Sequence, residues 1–242
     1  SRNEQYLAKT VDDIFAKARG EVEVIVILDE KDQPLTPRPN LIVHKKIGAP
    51  GLRSAINQGI SFAQGKYIMK TDAHCMFGMG FDKILIENHQ DNWITIPRRY
   101  SLRAETWSIK PDRPIIDYEY FIFPFAKITS VRNGGKWYQR AEDRKELLID
   151  ETMVFQGSCW LMSRKHWDLL GGVSDVGYGS FTQEPEEIGL KTWLGIDGGR
   201  VMTNKLTWYA HKHRKFGRTI AGLTSSQHVK DGNAYSRDFW LN

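Results

Sequence analysis

The segment Asp72-Ala-His74 places two side-chain types that bind divalent metals two residues apart. A carboxylate oxygen and an imidazole nitrogen suit Mn²⁺ or, less well, Zn²⁺, and a turn after a strand can direct both at one ion. A third ligand would come from His211 or His213, which lie in a histidine-containing basic segment near the end of the chain. The residue types therefore predict a divalent-metal site, with the choice between these two histidines open.

A second group of chemically capable residues is the acidic run from Glu184 through Pro185 to Glu186 and Glu187. It begins a predicted helix, where the helix dipole favours negative charge, so capping accounts for one or two of the carboxylates. The third lies close to the glycine-containing segment 177–181, which could hold a sugar-sized ligand against the backbone. The functional alternative to helix capping is that Glu184 or Glu186 acts as a general acid or base, or that these carboxylates recognise hydroxyl groups.

Cationic side chains provide candidates for an anion site, namely Arg53, Arg214 and the run from Lys212 to Arg218. The sequence contains no G-x-x-x-x-G-K-[ST] loop, no G-x-G-x-x-G turn, no G-x-S-x-G elbow and no H-E-x-x-H helix. A phosphate-bearing ligand would therefore depend mainly on a metal and on these cations. A solvated basic face is the plainer interpretation of the 212–218 run.

Alternating helix and strand patterns position these residues. The first hundred residues predict helices over 7–18, 52–63 and 81–89 and strands over 21–28, 41–43, 66–70 and 93–96, with Asp29 and Asp72 at strand carboxyl ends. This order predicts an α/β fold with an open, mostly parallel sheet flanked by helices, whose ligands bind beyond the carboxyl ends of the strands. Further on, a strand is expected at 159–162 and helices at 165–170 and 186–194. The aromatic residues between 98 and 150 are expected to cover the sheet.

Composition limits the class of protein. The 242 residues are 40% hydrophobic and 26% charged, which indicates a globular chain. The net charge of +5 attracts anions without choosing among phosphates, nucleic acid and acidic lipid. Two cysteines exclude a disulfide-stapled scaffold, and no signal peptide or apolar run of about 20 residues is present, which favours a cytoplasmic location. We expect one domain over 1–242, with a nucleotide-binding part over about 1–97 and a donor-sugar and acceptor part over about 98–242.

The order of motifs resembles a GT-A-fold, Rossmann-like nucleotide-sugar glycosyltransferase of family 2. The Asp-x-His-Cys version of the metal motif at 72–75 and the second half of the chain resemble the polypeptide N-acetylgalactosaminyltransferases. The segments that carry the resemblance are Arg2-Asn-Glu4, Arg53 with Asn57 and Gly59, Asp72-Ala-His74-Cys75, Gly157-Ser158, Leu161-Met-Ser-Arg164, Leu170-Gly-Gly172, Glu184-Pro-Glu-Glu187, His211 with Arg214, and 233–240.

This resemblance implies a role for each matching residue. Asp72, His74 and His211 would hold Mn²⁺ or another divalent cation. Asp29 would bind the nucleotide base, taken to be uracil, and Arg214 the diphosphate. Gly157, Ser158 and Glu184 would line the donor sugar, while Glu4 and Arg53 are assigned to cofactor binding through the motifs that contain them.

The resemblance implies transfer of a sugar from a nucleotide-sugar, with UDP-sugars favoured, to a hydroxyl acceptor. Pro185 stands where inverting family 2 enzymes commonly have an aspartate base. Retention of configuration is therefore slightly favoured, and inversion with Glu184 or Glu186 as base is the alternative. The acceptor could be a glycan, a polypeptide or a modified base in DNA. A non-catalytic nucleic-acid-binding protein on a transferase-like scaffold is the competing function, and a zinc hydrolase ranks last.

Overall fold

The computed structural model describes residues 1, 4–29, 32–48, 51–122, 133–213, 219–220 and 223–241. The elements of its first half are α1 (Leu7–Lys17), β1 (Val24–Leu28), β2 (Leu41–Lys45), α2 (Leu52–Phe62), β3 (Tyr67–Thr71), β4 (Cys75–Phe77), α3 (Phe81–Glu87), β5 (Trp93–Arg103), β6 (Ser108–Ile109) and β7 (Glu119–Phe121). Those of its second half are β8 (Asn133–Lys136), α4 (Tyr138–Asp143), β9 (Ile149–Glu151), β10 (Cys159–Ser163), α5 (Arg164–Leu170), α6 (Glu184–Gly195), β11 (Arg200–His211), β12 (Thr219–Ile220), β13 (Leu223–Thr224) and α7 (Ser225–Leu241).

The central feature is a seven-stranded sheet in the order β3-β10-β5-β11-β4, with β6 joined to β5 and β9 joined to β11. The two central strands β5 and β11 are parallel, as are β1 and β2 in a separate two-stranded sheet. The other strands of the seven-stranded sheet pair antiparallel, unlike the mostly parallel arrangement expected from the sequence. The antiparallel pairs arise because strands of the second half insert among those of the first: β10 lies between β3 and β5 and runs antiparallel to both.

The α/β class is confirmed, and the core follows from the strands that carry it. Trp160 and Met162 of β10, Ile94 of β5 and Val201 of β11 are each completely buried. They belong to one cluster that also includes residues of α2, α3, α5 and α6, so helices cover the sheet. Because β5 and β11 are nearly continuous in apolar or small side chains at their starts, burial there is the expected outcome.

The two-stranded sheet β1-β2 is separated from β3 by a cleft. The cleft belongs to a cavity of about 710 Å³ whose walls include β1, β3 and α2. The predicted boundary at residues 97 and 98 falls inside β5, and β10 and β11 pair with strands from the first part. The two parts therefore share one sheet. Among the described residues, no helix combines the length and the apolar character needed to cross a membrane.

Most predicted helices and strands of the first half lie where expected, within a few residues at each end. The largest differences concern two strands. β5 continues to Arg103 instead of ending near Ile96, and β11 in the second half is a strand that the sequence analysis did not predict. The sequence around β11 is interrupted by Asn204 and Lys205, which are both buried. A register shift between Asn204 and Trp208 lets one strand pair with β5 along nearly its whole length despite this interruption.

The buried His166 of α5 predicts a loss of stability on mild acidification. Its side chain is fully buried, and Nε2 pairs with Thr192 Oγ1 at 2.9 Å. Burial lowers the pKa of His166 from 6.5 to about 4, so the unfolded state binds the proton more readily. The free energy of unfolding should fall, by up to about 1.4 kcal/mol per pH unit, as the pH drops from 6.5 to about 4.

Urea denaturation at about pH 7.5 and about pH 5 measures this effect. The His166→Gln variant should lose less stability between the two pH values than the unchanged protein. The exposed His213 provides the control, and His213→Gln should keep the full loss. An identical loss in His166→Gln would show that His166 is not the group responsible.

Candidate functional site

The carboxylate of Asp72 and the imidazoles of His74 and His211 form one cluster. Their nearest ligand atoms all lie within 4.8 Å of one another. Asp72 Oδ2 is 3.2 Å from His211 Nε2 and 3.7 Å from His74 Nε2, and the two Nε2 atoms are 3.1 Å apart. One carboxylate oxygen and two imidazole nitrogens are a donor set that suits Mn²⁺ or Zn²⁺. The exposed His213 is not part of this cluster, so the structure favours His211 as the third ligand.

Strand register explains why residues so distant in sequence meet. β11 pairs antiparallel with β4 so that His211 lies opposite Cys75, the neighbour of His74. On the other side, β10 pairs with β3 so that Cys159 lies opposite Thr71, and the Asp72 N–H donates to Ser158 O at 2.9 Å. Asp72 and His74 therefore sit in a turn that two neighbouring strands hold in place.

Glu4 contacts the ring nitrogen of His74 that faces away from the other two members of the cluster. Its Oε2 lies 3.2 Å from His74 Nδ1, and both side chains are buried. A carboxylate on one ring nitrogen of a histidine orients the ring and leaves the other nitrogen for a metal. The structure thus places Glu4 next to a predicted metal ligand, whereas its contact with a nucleotide stays a prediction.

The electrostatics of the cluster favour the charge states that a metal requires. Burial by itself would raise the pKa of Asp72, but Lys70, His211 and His74 outweigh it and hold the pKa well below its usual range. Burial lowers the pKa of His211 to about 4, although Asp72 acts in the opposite direction. At neutral pH the cluster therefore presents a carboxylate and a neutral His211 ring, the forms that coordinate metals.

A second group of predicted residues meets beside the cluster. Gly157 and Ser158 lie just before β10, and Glu184 begins α6. A Cβ built on Gly157 would lie 2.1 Å from Glu184 Oε1, so the close approach of this carboxylate requires glycine. The backbone of Ser158 supports Asp72, and its hydroxyl is 2.8 Å from Tyr209 OH. Lys70, which the sequence reasoning missed, lies between this group and Asp72.

Asp29 faces the same cavity as the cluster. It follows β1, and its two carboxylate oxygens accept from the Gly51 N–H at 3.1 and 3.2 Å. The cavity of about 710 Å³ is lined by Asp29, Asp72, His74 and His211 together with the strand residues of β1 and β3. The structure therefore brings the predicted base-binding residue and the predicted metal ligands to one opening.

The remaining predicted residues lie away from the cluster or outside the described part of the chain. Arg53 is 1% exposed and forms an ion pair with Glu187, which is also buried. Its guanidinium further donates to Ser174 O and Thr182 O, each at 2.7 Å. Because these donors serve the protein, the geometry supports a role in holding the 174–182 loop, and its contact with a ligand stays a prediction.

Of the two remaining residues predicted from the sequence, Glu186 lies within the described part of the chain and Arg214 does not. Glu186 is buried in the first turn of α6, close in sequence to Glu184. Arg214, which was assigned to a diphosphate, lies outside the described residues. Glu187 was seen from the sequence only as a member of an acidic run, and no sequence signal marked it as the partner of Arg53.

Comparison with known proteins gives a consistent result. Residues 1–170 match the model of the family described as glycosyl transferase family 2. The structure of GalNAc-T7 with UDP, GalNAc and Mn²⁺ superposes on 98% of this chain with a TM-score of 0.74 and 18% identity, covering 46% of that protein. S. aureus TarS 1-349 in complex with UDP-GlcNAc matches 89% of this chain with a TM-score of 0.52 and 16% identity, covering 56% of that chain.

These similarities establish the fold. The chain spans about half the length of the solved structures it matches, with 46% and 56% of them covered. The GT-A architecture that the motif order implied is therefore confirmed. No protein of curated function matches the sequence.

Proposed function

The chain belongs to glycosyltransferase family 2, and from this premise we propose that it is a metal-dependent glycosyltransferase that moves a sugar from a nucleotide-sugar to a hydroxyl acceptor. The observation that carries the proposal is the cluster of the half-buried Asp72 with the buried His74 and His211, at one opening with Asp29. Glycosyl transfer from a nucleotide diphosphate needs a charge-neutralising centre next to a pocket for the nucleotide.

The metal would be held by Asp72, His74 and His211, with Glu4 orienting the His74 ring. Bound there, a divalent cation such as Mn²⁺ would act as a Lewis acid toward the diphosphate that leaves. The neutral His211 ring and the ionised Asp72 carboxylate at neutral pH support this assignment, because no proton has to be displaced from either group. Arg214, three residues after His211, is proposed to contact the same diphosphate.

Asp29 is proposed to bind the nucleotide base, with UDP-sugars as the favoured donors. Its position at the end of β1 on the cavity wall supports this role. Gly157, Ser158 and Glu184 are proposed to line the donor sugar, since the lack of a side chain at Gly157 lets the Glu184 carboxylate lie directly against the backbone. The buried backbone of Gly157 and Ser158 and the Glu184 carboxylate provide polar groups that would recognise the hydroxyls of a sugar.

In the proposed reaction the bond between the anomeric carbon and the diphosphate oxygen breaks, and the acceptor oxygen bonds to that carbon. We favour retention, with the acceptor proton passing to the departing phosphate oxygen and Glu184 binding the sugar. The ammonium of Lys70, 3.5 Å from Glu184 Oε1, supports a binding role for this carboxylate over that of a base. Inversion with Glu184 or Glu186 as base would give the opposite anomer, which proton NMR of the product distinguishes.

A thermal-shift panel of UDP-, GDP- and TDP-sugars, each with Mn²⁺ and with EDTA, tests the proposal. A ligand at about 100 times its Kd stabilises the native state by about 2.7 kcal/mol. For a chain of this size that corresponds to a rise in Tm of about 5 °C or more. We expect this rise with UDP-sugars and Mn²⁺ together and a much smaller one in EDTA.

No shift with any nucleotide-sugar would contradict the proposed function. If instead DNA or RNA raised the Tm and binding fell steeply with salt, the nucleic-acid-binding alternative would replace it. The nucleotide-sugar panel and the nucleic-acid measurements together therefore separate the two functions.

A further inference from the structure

Lys70 is a buried cation on the strand that leads into the metal cluster. It is the fourth residue of β3, opposite Trp160 of β10, and its side chain is only 9% exposed. A buried ammonium is costly unless its charge and its hydrogen bonds are satisfied. A lysine at this position therefore needs a specific set of partners.

Three acceptors surround the Lys70 ammonium. Asp72 Oδ1 lies 2.8 Å from Nζ, Glu184 Oε1 lies 3.5 Å away, and the carbonyl oxygen of Gly157 accepts a hydrogen bond. An ammonium group has three N–H donors, so these contacts can use its full capacity. Lys70 is therefore arranged to hold protein groups in place, not to bind a ligand directly.

The partners of Lys70 belong to two different parts of the site. Asp72 divides its oxygens, with Oδ1 facing Lys70 and Oδ2 facing the rings of His74 and His211. Glu184 and Gly157 belong to the proposed sugar-binding side, where Glu184 Oε1 rests against the Gly157 backbone. One ammonium thus joins a metal-ligand carboxylate to a carboxylate on the sugar side.

We propose that Lys70 is a positioning residue that fixes Asp72 as a one-oxygen metal ligand and locks Glu184 in a set relation to it. The proposal rests on the proposed function and adds to it a link between metal and donor sugar. Lys70 holds the two carboxylates together against their mutual repulsion. It also keeps Asp72 Oδ1 away from the metal and reduces the negative charge that the metal meets.

Replacing Lys70 by methionine keeps the length of the side chain and removes its charge. The metal site then becomes more negative and Asp72 Oδ1 is released, so Mn²⁺ should bind about tenfold more tightly. Glu184 loses its anchor, so kcat should fall about 10- to 100-fold. Tighter metal binding combined with slower turnover is the signature of positioning, because a general loss of structure would weaken both.

Mn²⁺ binding is measured without donor by EPR of the free ion, and kcat and KM by initial rates with the UDP-sugar that gives the largest thermal shift. Lys83→Met on α3 is the matched control, since Lys83 is exposed, and both values should stay at the wild-type level. Lys70→Arg restores the charge and should lie closer to wild type than Lys70→Met in both measurements. Glu184→Gln provides a second route if Lys70→Met fails to fold.

In Glu184→Gln the charge of Lys70 is balanced by Asp72 alone, so Mn²⁺ should bind about tenfold more weakly although Glu184 is not a ligand. The proposal is overturned if Lys70→Met leaves both values unchanged, if it weakens metal binding together with kcat, or if Glu184→Gln leaves metal binding unchanged. A wild-type protein that binds neither Mn²⁺ nor a nucleotide-sugar would overturn the proposed function and this inference together. Wild-type binding with Lys70→Met behaving like Lys83→Met would overturn this inference alone.

Discussion

Asp72→Asn is expected to reduce metal-dependent sugar transfer by about 1,000-fold or more in kcat/KM, because the metal supplies several kcal/mol of transition-state stabilisation. Asp72 contributes the only carboxylate of the Asp72, His74 and His211 cluster, and its Oδ2 faces both rings. Asparagine keeps the shape of the side chain but removes the charge that attracts a divalent cation. Initial rates of UDP-sugar turnover with Mn²⁺, together with EPR of free Mn²⁺, measure both consequences.

The control is Asp112→Asn, which removes an equal charge from a residue whose side chain is 66% exposed. It should retain wild-type rates and Mn²⁺ affinity. A melting temperature of Asp72→Asn close to that of the wild type would show that the loss is local. Full transfer activity in Asp72→Asn would contradict both the metal site and the proposed mechanism.

Glu187→Gln is expected to lower the free energy of unfolding by about 3–5 kcal/mol, the usual cost of leaving one charge of a buried ion pair without its partner. Glu187 and Arg53 have side chains that are 2% and 1% exposed. Glu187 also accepts from Ser174 N–H at 3.0 Å and from Lys191 Nζ at 2.7 Å. Removing the charge of Glu187 therefore leaves the buried Arg53 guanidinium without its ionic partner. It also loosens the 174–182 loop. Urea denaturation at neutral pH measures the change.

Glu142→Gln is the matched control, because it breaks an exposed ion pair with Lys145 whose side chains are 70% and 62% exposed. Exposed pairs contribute about 0–1 kcal/mol, so this variant should be close to wild type. Equal effects of the two substitutions would show that the Arg53–Glu187 pair does not stabilise the fold. A small effect of Glu187→Gln would reopen a ligand-binding role for Arg53.

Local patterns in the sequence predicted much of the fold. The helical spacing over 7–18 and 52–63 corresponds to α1 and α2, and the apolar run over 21–28 contains β1. These elements depend on residues close together in the chain, so a single sequence is sufficient to indicate them. The metal motif Asp72-Ala-His74 was visible for the same reason.

Residues that act through distant partners could not be recognised in this way. Arg53 and Glu187 are 134 positions apart, and nothing in the sequence marked them as partners of each other. Lys70 likewise resembles an ordinary polar residue of a half-buried strand. Its proposed role depends on contacts with Gly157 and Glu184, which lie next to β3 only in the folded chain.

The sequence by itself predicted the α/β class and the Asp72-Ala-His74 motif, because short-range spacing and residue type indicate these features. Its resemblance to family 2 implied glycosyl transfer and named His211 as the third proposed ligand. The tertiary structure decided between His211 and His213, which the residue types by themselves had left open, because His211 lies in the cluster and His213 does not. That choice depends on the register in which β11 pairs with β4, which places His211 opposite Cys75 and next to His74. Register is set by the packing of the whole sheet, and a one-residue slip would turn His211 to the opposite face.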